Sequence, residues 1–247
     1  MIRIFLGNLG SGKTAMAVRE MALCKHNIYT NINTTLKNCN LIRPENIIKR
    51  ELLGYKKSKF SAAKEEVYKQ NLNLDFWKNA KKPCHVYLDE AHSIINSRRS
   101  MSKLNVLCSE WMAMLRRVLN ESDSKTGDLV LISQLIMKLD ENARDMCTQI
   151  SYHICHWVKR CERCHTQWQE NSQLPEQAHL CINCGSDVLV KNSHAIEIMK
   201  FENFDAFQGW NINREKTFYD HYMVLDIHKY FGVYNSLQWD NLFTGYY

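Results

Sequence analysis

One stretch constrains this chain more than any other: Gly7-Asn8-Leu9-Gly10-Ser11-Gly12-Lys13-Thr14. It follows the apolar run Ile2 to Leu6 and opens a helix-compatible segment from Ala15 to Cys24. That context of strand, loop and helix separates a phosphate-binding loop from a chance match to G-x-x-x-x-G-K-T. Gly7, Gly10 and Gly12 let the backbone turn its amides inward, where side chains would forbid it. The helix that starts there adds its positive dipole end. In this pattern Lys13 reaches the β- and γ-phosphates of a nucleotide such as ATP, and the Thr14 hydroxyl binds Mg²⁺. All eight positions, with Asn8, Leu9 and Ser11 between the glycines, are therefore expected to line the nucleotide phosphates.

The second strong signal is Cys84-His85-Val86-Tyr87-Leu88-Asp89-Glu90-Ala91-His92, an apolar strand that ends in two acids. Downstream of a phosphate loop, the first acid holds the Mg²⁺ and the second polarises the attacking water. Asp89 is thus assigned to the metal and Glu90 to the water. His92 could touch the site, but a place on the following helix is the favoured reading. A further buried strand, Leu129 to Ile132, runs into Ser133 and Gln134. Ligands bind at the carboxyl edge of open α/β sheets, which favours Gln134 as a sensor of the γ-phosphate over a surface glutamine.

Elsewhere the chain reads as follows. Ile28 to Asn33 alternates with β-branched residues and is expected to be a strand. Pro44 starts a short helix. Lys64 to Trp77 is expected to be another helix, and Val106 to Asn120 a longer one with Trp111, Met114, Leu115 and Leu119 on one face. Ile150 to Val158, Val188 to Val190 and Ala195 to Lys200 are expected strands. Tyr219 to Phe231 is expected to be the last helix. Between residues 49 and 82 lysines alternate with Tyr55, Phe60, Tyr68 and Trp77. This pattern suits either a DNA-facing surface or a solvated helix face with its rings turned inward, and the solvated face is the favoured reading.

With 247 residues and 45% hydrophobic composition, the chain can build one large domain with a small attachment. The net charge of +6 permits a nucleic-acid partner without establishing one. No apolar stretch approaches a membrane span, and Ile2–Leu6 is too short for a secretory signal.

These pieces together resemble the ATPase domain of the zonular occludens toxin family, which includes assembly ATPases of filamentous phages. That family is in turn similar to the viral genome-packaging and DNA-pumping ATPases of the FtsK–HerA group. The resemblance spans about residues 1 to 160. It rests on Gly7–Thr14, Tyr29-Thr30-Asn31-Ile32, Leu88-Asp89-Glu90-Ala91-His92, and Ile132-Ser133-Gln134 with Leu139-Asp140 and Arg144. It implies an ATP-hydrolysing motor that assembles as a homo-oligomeric ring and acts on DNA or a nucleoprotein. It also implies an arginine finger from a neighbouring subunit. Arg98, Arg99, Arg116, Arg117 and Arg144 are the candidates, and Arg117 is assigned by spacing similar to the family's. Phage-assembly members carry a transmembrane helix after the ATPase domain. None is visible here, which tilts the expectation from membrane extrusion toward DNA packaging. The expected setting is a host cytoplasm, with capsid or membrane assembly proteins as further partners. A nucleotide-dependent switch that binds partners without productive turnover is the reading of another class.

The third signal is Cys161-Glu162-Arg163-Cys164, followed after sixteen residues by Cys181-Ile182-Asn183-Cys184-Gly185. Two C-x-x-C knuckles at this spacing are expected to hold a structural Zn²⁺ with all four thiolates, in preference to disulfides or buried thiols. His165 and His179 could serve as alternate ligands, but surface positions are the favoured reading. The other cysteines show no ligand spacing and read as core or helix-face thiols. The fold expectation is an α/β phosphate-loop NTPase with a mainly parallel sheet flanked by helices. Residues 1–158 form the ATPase domain, 159–190 a zinc-ribbon hairpin insertion, and 191–247 the last core strands with an aromatic-rich extension.

Overall fold

The computed structural model describes residues 1–57, 64–93, 95–96, 103–119, 127–168, 180–187 and 190–235. In chain order the strands are β1 (Ile2–Leu6), β2 (Asn27–Thr30), β3 (Cys39–Leu41), β4 (Ile48–Lys57), β5 (Lys64–Leu72), β6 (Cys84–Leu88), β7 (Leu129–Ile132), β8 (Gln149–Cys161), β9 (Gln167–Trp168), β10 (Val190–Phe201) and β11 (Asp220–Val224). The helices are α1 (Lys13–Leu23), α2 (Pro44–Ile47), α3 (Leu74–Lys78), α4 (Lys103–Val118), α5 (Glu141–Asp145) and α6 (Phe204–Asn213).

The main sheet has the order β11-β10-β8-β1-β7-β6-β2-β3, with β9 paired to β8. From β8 to β3 every neighbouring pair is parallel, whereas β10 and β11 run antiparallel. Side chains alternate between two cores, as a period of two requires. Ile4, Leu6, Val86, Leu88, Leu129 and Leu131 face one side, where Trp77, Trp111, Met112, Leu115, Phe201 and Phe207 cover them. Phe5, Tyr87, Val130 and Ile132 face the other, under Ala15, Val18 and Met21 of α1 and Ile227. This is a mixed α/β architecture with helices on both faces of a mainly parallel sheet. It is the architecture expected for a phosphate-loop NTPase.

Two expectations are corrected. Lys64 to Trp77 is not one helix: β5 pairs antiparallel with β4 as a separate hairpin, and only α3 is helical. Lys and Glu favour helices intrinsically, but pairing with β4 overrides that weak preference. Tyr219 to Phe231 is not a helix either. Met199, Ile198 and Ile196 of β10 pair with His221, Tyr222 and Val224, and only Ile227–Tyr230 forms a short 3-10 turn. Arg144 is half-buried, with its guanidinium 5.1 Å from the Phe204 ring centre. The long helix stands where expected, although Met114 is half-buried while Cys108 and Met112 are fully packed. The aromatic tail docks on its own domain as far as it is described. Trp210 and Phe218 pack around Phe201, and Tyr230 and Tyr234 pack near α1. Trp239, Phe243, Tyr246 and Tyr247 lie outside the described residues, as do Phe60, His179, and Val188.

Candidate active site

The phosphate loop turns sharply between β1 and α1. Gly7 and Gly12 both have positive φ, of 146° and 85°. A side chain at Gly7 would collide with the His153 carbonyl, and one at Gly12 with Ile196 of β10, so both positions demand glycine. No side chain caps α1, and its first turn carries no acid. Its leading amides are thus available to an anion.

Lys13 is buried inside this loop. Its ammonium donates to the Gly7 and Asn8 carbonyls, each at 2.9 Å, and lies 3.4 Å from Ser11 Oγ. Burial lowers its pKa below the ordinary lysine value, against the pull of Asp89 and Glu90. The Thr14 hydroxyl donates to Asp89 Oδ2 at 2.8 Å, so the loop and the acid strand meet at one point. Burial raises the Asp89 carboxyl, opposed by its hydrogen bond with Thr14. A hydroxyl and a carboxylate converging this way suit an octahedral Mg²⁺ held by few protein oxygens.

Asn31, just past β2, fixes the acid strand's end. Its Oδ1 accepts from the Asp89 amide at 2.7 Å and its Nδ2 donates to the Asp89 carbonyl at 2.9 Å. The chain then bends at Glu90, whose φ of 49° is left-handed, a conformation that costs a non-glycine residue about 1–3 kcal/mol. The bend sends the Glu90 carboxylate toward two partners. Gln134 Nε2 donates to Oε1 at 3.3 Å, and His92 Nδ1 lies 3.2 Å from Oε2. Glu90 remains half-exposed, open to water.

The topology explains why these groups meet. Strand β7 lies between β1 and β6, so Gln134 at its carboxyl end emerges between the phosphate loop and the acids. Lys13, Thr14, Asp89, Glu90 and Gln134 all line one crevice of about 850 Å³. His92 belongs to it as well. It lies on the 3-10 turn Ala91–Ser93, and its Nδ1 is 3.5 Å from Ser133 Oγ. Burial lowers its pKa, which favours the neutral ring.

Two further contributions had no clear signal in sequence. Asn31 lies at the end of the expected strand Ile28 to Asn33, but nothing in the sequence joins it to Asp89. Phe231, Tyr234 and Asn235 also line the crevice. Their segment is pinned across α1: the Thr35 amide donates to the Val233 carbonyl at 3.0 Å, and the Asn235 amide donates to the Asn33 carbonyl at 3.1 Å. Burial, followed by the nearby Asp89 charge, raises the Tyr234 phenol.

Arg98 and Arg99 lie outside the described residues, as do the side chains of Arg116 and Arg117. The Leu119 carbonyl accepts from the Cys84 amide at the start of β6, so the Arg117 end of α4 sits at the sheet's amino edge, opposite the crevice.

Beyond the crevice, β8 and β10 extend as a hairpin to the four cysteines. Their sulfurs lie within 4.8 Å of one another, with Cys161–Cys184 at 3.7 Å and Cys164–Cys181 at 3.4 Å. A tetrahedron with Zn–S bonds of about 2.3 Å has edges of about 3.8 Å, so the set fits a zinc ion. The two knuckles are equivalent turns. His165 and Gly185 donate amides to the Cys161 and Cys181 carbonyls, each at 2.9 Å, with φ of 59° and 67°. His165 is therefore the turn residue of its knuckle, not a fifth ligand. Thr166 pulls the Cys164 thiol down to about 5, toward the thiolate a metal takes. Among the described residues, the ribbon's own core is Cys161, Trp168 and Cys181, with Cys164 against them.

A phosphate loop with its hydroxyl on an acid strand, and a third strand delivering a polar tip between them, defines the fold and site of a phosphate-loop NTPase. Residues 1–161 match the family model described as Zonular occludens toxin (Zot), and the chain belongs to that family. No curated protein matches the chain. Among solved structures it is similar to the N-terminal domain of zonular occludens toxin from Neisseria meningitidis, at 16% identity over 95% of this chain and 98% of that one, with a TM-score of 0.48. It is also similar to the genome packaging NTPase B204 from Sulfolobus turreted icosahedral virus 2 in complex with AMPPCP. There the identity is 9%, the coverage 82% of this chain and 92% of that one, and the TM-score 0.38. Both scores fall below 0.5, so membership rests on the match over residues 1–161.

Proposed function

We propose that this chain is an ATP-hydrolysing motor of a virus or an integrated viral element, driving the packaging or translocation of DNA. The observation that carries this reading is the convergence of Thr14 on Asp89 and of Gln134 on Glu90 within one crevice. A site that only bound nucleotide would need the first pair and not the second. Lys13 and the amides of residues 7–14 hold the phosphates, and Thr14 with Asp89 holds Mg²⁺, which supplies charge neutralisation there. Glu90 takes the proton of an attacking water and Gln134 orients that water against the γ-phosphate. His92, on the other Glu90 oxygen, keeps the carboxylate turned into the crevice.

Support for a DNA partner comes from the β4–β5 hairpin. Lys49, Arg50, Lys56 and Lys69 are exposed on it, together with Leu52, Leu53, Tyr55 and Tyr68. The Arg50 guanidinium sits 5.1 Å from the Tyr68 ring centre. Cations among exposed rings suit a strand's phosphates and bases. No helix among the described residues is long and apolar enough to cross a membrane. In the motor reading the chain works as a homo-oligomeric ring, and Arg117 reaches a neighbour's crevice.

ATP turnover with and without DNA is the test. A motor shows stimulation by DNA, lost in a Lys56→Ala/Lys69→Ala variant that keeps basal turnover. Slow turnover indifferent to DNA, with nucleotide-dependent binding of a protein partner, would replace the motor by a switch.

A further inference from the structure

Cys24 has no ligand spacing in the sequence, yet the fold supplies it with partners. It ends α1, His26 precedes β2, and His85 enters from β6. The Cys24 sulfur and a ring nitrogen of each histidine all lie within 4.8 Å of one another. His26 Nδ1 and His85 Nε2 are 3.0 Å apart, on rings inclined by only 10°. The His26 amide donates to Cys24 Sγ at 3.4 Å, which turns the sulfur toward the rings. The turn is held from outside: Asn38 Nδ2 donates to the Met21 and Cys24 carbonyls at 3.2 and 3.0 Å. All three side chains are half-buried, accessible to an ion without facing bulk water.

We propose that Cys24, His26 and His85 form a second metal site, for a borderline-soft divalent cation of the zinc class. One thiolate and two imidazoles match the ligand preference of such ions, and a water completes the tetrahedron. Two imidazole nitrogens on a zinc ion lie about 3.3 Å apart, close to the spacing already present. Apart from the ion, a single proton bridges the two rings, because the Asp128 amide donates to His85 Nδ1 at 3.2 Å and leaves the proton on Nε2. On binding, the ion displaces the proton from Nε2, His85 takes one up on Nδ1 in place of the hydrogen bond from the Asp128 amide, and the Cys24 thiol releases its own to solvent. The Asp128 carboxylate, 4.0 Å from Nδ1, is the outer partner that then orients the ring. The site lies at the amino edge of β2 and β6, the end of the sheet away from Asn31 and Asp89. It joins the C-terminal end of α1 to the start of β6, the two elements whose other ends present Thr14 and Asp89.

The test is metal content of the full chain, stripped with chelator, loaded with Zn²⁺ and desalted. The Cys24→Ser/His26→Ala variant holds one zinc fewer than the wild-type chain, while Cys161→Ser removes a different equivalent and leaves this one. Loaded with Co²⁺, the Cys161→Ser chain retains the visible bands of a site with one thiolate. Should the double variant fail to fold, His26→Gln alone weakens that Co²⁺ site about tenfold or more. Equal zinc content in the wild-type and Cys24→Ser/His26→Ala chains, or a Cys161→Ser chain without Co²⁺ bands, overturns the proposal.

Discussion

The nucleotide crevice and the cysteine ribbon are both turns that present ligands, and they are built in opposite ways. In the crevice, Asn31, Asp89 and Gln134 arrive from the ends of three strands and Lys13 from the start of α1, on elements buried in two large cores. Its framework stands whether or not any one side chain is present. In the ribbon, the ligands are most of the core: among the described residues, Trp168 alone joins the cysteines. Function and folding are separable in the first and inseparable in the second.

Changes can break that contrast, and the largest effect is expected in the crevice. Lys13→Ala removes the ammonium from a buried loop and is expected to lower ATP turnover by about 10²- to 10³-fold, with the melting temperature close to wild type. Steady-state hydrolysis and thermal melting check both halves. Next, Cys161→Ser is expected to lose the ribbon's zinc, a strong chelator to remove it, and either to unfold the ribbon, because the metal supplies its folding energy. Nucleotide binding in the crevice should survive, and titration of ATP into the chelated protein measures this. Asn31→Ala leaves the Asp89 amide and carbonyl without their partner, at a cost of about 1–3 kcal/mol, read by denaturant unfolding. It should also weaken Mg²⁺-dependent nucleotide binding, since Asp89 loses its register.

The smallest effect is a pH dependence in the strands that lead to the ribbon. Glu197 bridges His156 at 2.6 Å and His221 at 2.7 Å. Burial works against its charge, but those two partners hold its carboxyl below the ordinary value of 4.5. A carboxyl depressed by folding stabilises the fold above its unfolded pKa, and that contribution is lost as pH falls through the folded value. The melting temperature should therefore drop below about pH 4.5 more steeply in wild type than in Glu197→Gln.

The parts of the fold that sequence reveals are those where local pattern and burial coincide. Ile2–Leu6, Leu129–Ile132 and Cys84–Leu88 are short apolar runs because both faces of each strand are buried. The hairpin β4–β5 buries little, so its lysines and glutamates give no strand period and read as helix. Strand β11 is an edge strand of five residues with only Val224 fully buried, too short for its alternation to stand out. The site divides the same way. The phosphate loop, the acid pair and the paired knuckles are contiguous motifs. Contacts such as Phe231, Tyr234 and Asn235 over the crevice, or Cys24 beside His85, depend on chain crossings that no local pattern encodes. His92 reaches the site from the turn after β6 because the left-handed bend at Glu90 turns the chain back toward Ser133.

The central claim is that Glu90 turns a nucleotide-binding crevice into a hydrolytic one. Glu90→Gln keeps the size and hydrogen-bonding reach of the side chain but removes the base. The direct measurement is single-turnover ATP hydrolysis beside ATP affinity in this variant. Affinity is expected to stay near wild type while hydrolysis falls by about 10²- to 10⁴-fold. Hydrolysis at the wild-type rate would contradict the account.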